Sequence, residues 1–381
     1  MKAKVYFVKA KRGEDLKLVR EKTRWLLENA GLKRIIKKDE LVALKLSFGE
    51  AGNTGHVDAR HARFVADEVT ALKGKPFFTD SNTLYKGMRA NAVDHTNIAY
   101  EHGFTPEICG APVVIADGLR SGEDFEVKIN KKHFKSVKIA KACADADAMV
   151  ALSHVTGHMV TGFASAVKNI GMGFATRSGK LLQHSAIKPG VLEKECTGCG
   201  ICIIHCPSGA IELKNRVLSG AKGKKAYIDE NKCIGCADCL VACRSDAIKI
   251  SWSETSDNLQ EKMAEFALGV MKDKEGKAIF LNYAMKITKE CDCLAKDDPA
   301  IAPDVGIFAS TDPIAIDKAS ADIVNEANKS DAFKKQWPHI NWEVQLKYGA
   351  GIGLGSLDYE LIEMDSRLPI GEAAGLRGDD R

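Results

Sequence analysis

Two cysteine runs set the terms for anything this chain can fold into. CTGCGICIIHCP begins at Cys196 and CIGCADCLVAC at Cys233; both follow C-x-x-C-x-x-C-x-x-x-C, and together they hold eight of the twelve cysteines. Three closely spaced thiolates on a tight loop suit three corners of an iron–sulfur cube, with the fourth supplied from elsewhere. A pair of zinc sites or a disulfide framework is the competing reading, but zinc knuckles pair two C-x-x-C units across a longer gap. Gly198 and Gly235 occupy the same place in each run, where a backbone wrapping an inorganic cube needs close approach. PSGAI and RSDAI continue the internal repeat, with Arg244 standing where the first run has Pro207.

The spacing is similar to that of bacterial two-cluster ferredoxins, in which the fourth cysteine of each run ligates the other cluster. The expected ligation is therefore crossed. One [4Fe-4S] cluster takes Cys196, Cys199, Cys202 and Cys243, and the second takes Cys233, Cys236, Cys239 and Cys206. Such ligands must be reduced, which points to a cytoplasmic, anaerobic setting and away from secreted disulfides.

A chain of 381 residues is too long for a ferredoxin alone, and its length suggests roughly two or three domains. The opening MKAKVYFVKAKRGEDL mixes charge into its apolar run and reads as a first strand, not a secretory signal. No stretch approaches the length of a membrane span. With 55 basic against 51 acidic residues, net +4, nucleic acid is not expected as a partner.

Outside the cysteine runs, strands alternate with helices. Strands are expected at 4–9, 41–49, 76–81, 112–118, 147–155, 277–287 and 305–310, and helices after Asp58 and Asp312 as N-caps, the latter with Pro313 in first position. This pattern implies a mostly parallel sheet with helices on both faces. Because the pattern stands on both sides of the cysteine runs, the expected fold is a discontinuous α/β domain (1–188 and 252–370). It is interrupted by a small α+β ferredoxin-like insertion (189–251), whose basic spacer forms a hairpin or an extended turn; residues 371–381 are expected to be a disordered tail.

In parallel sheets, ligands gather at the carboxyl ends of strands. There this sequence carries Ser47 to Glu50, Asp80 to Asn82, and Ser153-His154-Val155-Thr156-Gly157-His158, followed by Lys168 and Asn169. His154, His158 and Lys168 are the candidate catalytic residues; loop histidines bonded to backbone are the competing reading. Cys291-Asp292-Cys293 could hold a third metal, with Asp292, His154, His158 or His184 as further ligands. A structural or redox-sensitive dithiol is the alternative, because successive extended residues point to opposite faces unless the loop turns. GMGFATRSGK (171–180) and GAGIGLGS (349–356) fit neither phosphate-binding fingerprint and are expected to serve tight turns or backbone packing. Capping is expected for Asp312 and Asp317, and burial for the single cysteines Cys109 and Cys143.

Taken together, GHMVTGFASAVKNIGMGFATRSGK (157–180), both cysteine runs, the LQEKMAEFALGV helix, KECDCLAKDDP (289–299) and FASTDPIAIDKAS (308–320) resemble the uncharacterised family catalogued as domain of unknown function 362, in the form interrupted by a two-cluster ferredoxin. The resemblance implies the interrupted architecture and an iron–sulfur redox role; it supplies no substrate. The function expected is electron transfer. Two [4Fe-4S] clusters would exchange low-potential electrons with a redox partner protein or small carrier, and serve a reductive site for an unknown small molecule in the α/β domain. A non-catalytic docking module and a metal or cluster delivery protein are the alternatives.

Overall fold

The computed structural model describes residues 2–185, 188–218, 221–250 and 254–364; the tail expected to be disordered, 371–381, lies outside them. Seven strands form one sheet: β1 (Ala3–Lys9), β2 (Leu41–Lys45), β3 (Lys75–Thr79), β4 (Ala148–His154), β5 (Ala278–Ala284), β6 (Gly306–Ser310) and β7 (Tyr359–Glu363). Their order is β7-β1-β6-β5-β4-β2-β3. Pairing is parallel throughout except where β6 lies reversed between β1 and β5. The mostly parallel sheet is as expected. The reversed strand was not foreseen, because a short apolar run such as GIFAS reads alike in either direction.

β4 and β5 are buried at every position, since an apolar core covers each face of the sheet. α1 (Leu16–Ala30) and α2 (Ala59–Ala71) contribute to one core, which holds Val19, Leu26, Leu27, Val65 and Val69. Asp15 accepts from the Lys17 and Leu18 amides to start α1, and Gly31 ends it in the left-handed region at φ 91°, which glycine adopts without a Cβ penalty. The opposite core takes α3 (Ala166–Gly171), α5 (Ser256–Asp273) and α6 (Pro313–Ala327), while α4 (Arg177–His184) continues the chain from α3. Asp58 and Asp312 are N-caps as expected.

Residues 112–118 do not form the strand expected of them. They follow β3 through one bridge, Phe78 to Val113, and the Ala116 amide reaches the Asp80 carbonyl at 2.9 Å. The Val114 amide likewise reaches the Phe78 carbonyl at 2.9 Å, so the segment runs beside β3 without a continuous ladder. β7, by contrast, pairs in parallel with β1 where no strand was expected.

Between β4 and β5 the chain leaves the sheet. Gly190–Val191 pairs with Ile248–Lys249, bringing the two ends of the excursion together. The basic spacer is a hairpin of Ile211–Leu218 against Ala221–Ile228. A third apolar cluster joins Ile211, Ala226, Ile228, Leu240 and Ile248 to Cys196, Cys202, Cys239 and Cys243, with Leu84 and Leu181 reaching in from the sheet domain.

Candidate active site and cysteine cavities

The parallel strands β2, β3, β4 and β5 all run toward the same edge, and their carboxyl ends open into a cavity of about 580 Å³. Of the polar residues expected to converge there, Ser47, Asp80, Ser81, Ser153, His154, His158, Lys168 and Asn169 line it. Glu50 and Asn82 do not. His56 stacks on His102 with ring centroids 4.4 Å apart, and the Asn82 amide binds Asp117 at 2.8 Å.

One wall is a buried ion cluster. Asp80 takes Lys45 Nζ at 3.0 Å and Arg89 Nη1 at 3.2 Å, with His95 Nε2 at 3.7 Å. Burial alone would favour the neutral acid, but Lys45, His95 and Arg89 outweigh it and hold Asp80 far below the usual carboxylate range. Lys45 Nζ also donates to Asn169 Oδ1 at 2.7 Å, fixing the residue beside Lys168. The start of α3 is held by Asp317, whose two carboxylate oxygens accept from the Ala166 and Val167 amides at 2.8 and 2.9 Å. Asp317 thus caps a neighbouring helix and not its own; burial pushes its carboxyl up to about 6.

Cys291-Asp292-Cys293 does not continue as an extended strand. The Leu294 amide bonds the Cys291 carbonyl at 3.3 Å, making a turn that brings the two sulfurs onto one side, where they are bonded as a disulfide. Asp292 points the other way, onto His154 Nδ1 at 2.9 Å, while His154 Nε2 donates toward the Met285 and Lys286 carbonyls at 3.0 and 3.1 Å. Both ring nitrogens therefore face acceptors, which suits an imidazolium. Burial pulls the His154 pKa down, but Asp292 and the two carbonyls win and raise it above 6.5; Asp292 is correspondingly lowered below 3.8. A raised histidine contributes stability fully below 6.5 and loses it as pH rises through its folded value, whereas Asp292 contributes above 3.8 and loses it on acidification. His154→Gln is therefore expected to cost more stability at pH 6 than at pH 9; urea unfolding at both pH values checks this, and an equal cost would mean the ring is neutral.

His158 is held differently. Its Nδ1 accepts from the Val160 and Thr161 amides at 3.2 and 3.1 Å, so the proton of the neutral ring sits on Nε2. Burial, then Lys168 and His184, keep its pKa well below 6.5. Lys168 Nζ lies 3.2 Å from Cys291 Sγ, and burial lowers its ammonium to about 8. His158, Cys291 and Cys293 each offer a ligand atom within 4.8 Å of the others, a group that could hold a metal ion. His184 also lines the cavity, lowered to about 4 by burial and then by Lys168, Lys180 and Lys262.

Gly157 is required at its position: a Cβ there would strike the Lys289 carbonyl, and its amide bonds the Thr288 carbonyl at 2.8 Å. That close approach presses the His158 segment onto the chain leading into Cys291. The two glycine-rich runs serve packing, with Gly171 against the Met263 carbonyl and Gly355 against the Asp312 carboxylate. Cys109 and Cys143 are buried thiols.

The cysteine runs fall into two small cavities. One is lined by Cys196, Cys199, Cys202 and Cys243, the other by Cys206, Cys233, Cys236 and Cys239. Backbone amides aim at three of the sulfurs: Ala226 at Cys196, Ala210 at Cys206 and Ala247 at Cys243, at 3.4, 3.2 and 3.3 Å. Lysines cap ligand-run carbonyls, Lys188 on Cys233 at 2.6 Å and Lys86 on Cys243.

Sequence reasoning missed Lys45, Tyr85 and Arg89 as cavity residues. Lys45 sits inside an apolar strand, and Tyr85 and Arg89 occupy a connection without periodicity; no local signal marks them. Among the described residues no helix is long and apolar enough to cross a membrane.

No curated protein matches the chain. Among solved structures, the lactate racemase apoprotein from Thermoanaerobacterium thermosaccharolyticum is 12% identical with a TM-score of 0.39, the match covering 85% of this chain and 58% of that one. A protein from Thermotoga maritima is 10% identical with a TM-score of 0.41, covering 83% and 59%. This chain thus spans less than two thirds of either. Residues 42–322, well over half of the sequence, match the family described as "Domain of unknown function (DUF362)", and the chain belongs to that family.

Proposed function

We propose that this protein is an iron–sulfur electron-transfer protein in which residues 189–251 form a ferredoxin-like insertion with two [4Fe-4S] clusters, and that it serves a reductive site in the sheet-edge cavity. The observation that carries this reading is the partition of the eight cysteines: three from one run and the last of the other line each small cavity. This is the crossed set that two-cluster ferredoxins use. The donor chemistry fits, since each group offers four soft sulfurs, and the amides on Cys196, Cys206 and Cys243 are the kind of donor that tunes a cluster's potential. Such clusters, when bound, supply one-electron transfer at low potential, of order −400 mV for typical low-potential ferredoxins.

The chain's own residues do the rest. Lys188, Lys86 and Lys225 bring positive charge to the carbonyls of Cys233, Cys243 and Cys196, offsetting the negative charge of thiolate-ligated iron. In the larger cavity, Lys168 and the Nε2–H of His158 are donors that suit a small anionic substrate, while His154 holds the Cys291 turn through Asp292. An external one-electron carrier is the partner this reading requires.

Metal and sulfide analysis of anaerobically reconstituted protein, with EPR after dithionite reduction, tests it. The expected result is about eight irons per chain and interacting spin-half signals. Zinc in place of iron, or a protein that takes up neither iron nor sulfide, would overturn the reading.

A further inference from the structure

We propose that Cys291 and Cys293 form a redox centre, a disulfide that opens to a dithiol facing the cavity and there stores two electrons. Among the described residues these two cysteines are bonded to each other, while the other ten are free thiols. A bridge across a single residue closes a very short loop and so constrains the unfolded chain least. The turn does not need it as a staple. The Glu50 amide holds the Asp292 carbonyl at 2.9 Å, the Tyr85 hydroxyl holds the Cys293 carbonyl at 2.7 Å, and Asp292 is anchored on His154.

What the bond has instead is reactive surroundings. Both cysteines line the 580 Å³ cavity, and Lys168 Nζ stands 3.2 Å from Cys291 Sγ, where a cation stabilises a thiolate. His158 completes a three-ligand group by distance, but its Nδ1 is an acceptor for two backbone amides. Its Nε2 therefore carries a proton and has no lone pair for a metal. The arrangement offers a hydrogen-bond donor and a cation to the sulfur pair in place of a third ligand.

The step balances as follows. The S–S bond takes two electrons, together with one proton from water entering the cavity, and breaks; Cys293 becomes a thiol, and Cys291 becomes a thiolate paired with the Lys168 ammonium. The electrons come from a low-potential one-electron donor acting twice. Residues Leu84, Tyr85 and Lys86 connect this pair to the cysteine runs: Leu84 packs in the cysteine-containing core, Tyr85 binds Cys293, and Lys86 binds the Cys243 carbonyl. Only this identification of the electron source rests on the reading of clusters in residues 189–251.

The test uses the full chain, equilibrated anaerobically in graded dithiothreitol redox buffers, acid-quenched, unfolded, alkylated with a maleimide and digested with trypsin. The peptide Glu290–Lys296 contains these two cysteines and no others. It is expected to pass reversibly from no maleimide to two in a single transition. Alkylation of the native reduced protein is expected to slow about tenfold at Cys291 in Lys168→Met at pH 7, the thiolate fraction carried by about one pKa unit. A peptide equally alkylated at every poise, or a metal retained on the pair throughout the titration, would overturn the proposal. An unchanged alkylation rate in the variant would overturn the role of Lys168. Iron is measured on the same samples. A peptide that cycles in protein unable to bind iron supports this inference and removes the cluster reading; a peptide that does not cycle in iron-loaded protein does the reverse.

Discussion

Removing Cys202 and Cys243 together is expected to cost the reconstituted protein about four of its eight irons, whereas removing Cys202 and Cys206 is expected to cost about all eight. The two double variants delete the same number of thiols. They differ in that Cys202 and Cys243 line one cavity, while Cys202 and Cys206, only four positions apart, line different ones. If ligation followed the sequence runs instead, the pattern would invert: Cys202 with Cys206 would spare one cluster. Iron and sulfide content with EPR reads the difference directly. Because metal binding and folding are coupled in small metal-containing segments, far-UV circular dichroism on the same samples shows whether the insertion remains folded when one site is lost. Equal iron loss in both variants would sink the crossed arrangement.

Asp80→Asn is expected to destabilise the sheet domain by about 3–5 kcal/mol, the usual cost of deleting one partner from a buried ion pair. The substitution keeps the shape and leaves Lys45 and Arg89 buried, with side-chain exposures of 1% and 3%. Glu50 lies 3.6 Å from Arg89 Nε, and among the described residues Lys45 pairs with Asp80 and not with Glu50. The penalty comes from the uncompensated charges and not from the bonds lost, so replacing Lys45 and Asp80 together by Met and Leu is expected to recover much of it. Chemical denaturation at pH 7 measures both. A cost below about 1 kcal/mol for Asp80→Asn would mean that water reaches the cluster and screens it. The sign with pH is also fixed: with its folded pKa depressed, Asp80 contributes above 3.8 and loses that contribution only as acid titrates it through the folded value.

These two expectations draw on different kinds of information. The proposal for the cysteine runs starts from spacing alone, because a metal cluster would demand several soft ligands within a short reach, and a local demand leaves a local trace. The α/β alternation was legible for the same reason: helix caps at Asp58 and Asp312 and apolar strands such as β4 and β5 are short-range statements about periodicity and burial. The segment at 112–118 follows β3 and bonds it at Phe78 and Asp80 without becoming a strand of the sheet, a distinction that apolar composition does not report. Sheet direction failed similarly for β6, whose apolar run looks the same whichever way it is paired.

The sheet-edge cavity was only half visible. His154, His158 and Lys168 stood out as polar residues after a strand, yet their roles diverge in ways no spacing discloses. The His154 pKa is raised because Asp292 comes to it from a segment 138 positions away, and His158 is neutral because two amides of its own loop hold Nδ1. Lys45 drew no attention inside its apolar strand, since only the approach of Asp80 and Arg89 makes a buried lysine tolerable.

By itself, then, the sequence determined most of the element types, the parallel character of most of the sheet, and the two like-spaced runs into which eight of the cysteines fall. Tertiary structure alone decided that the Cys291 turn puts both sulfurs on one face with Lys168 beside them, and that Tyr85 and Lys86 span from that turn to Cys243. The physical reason is range. Periodicity and ligand spacing act over a few residues, whereas the charge state and reactivity of a buried group depend on whatever distant side chains the fold brings within hydrogen-bonding distance.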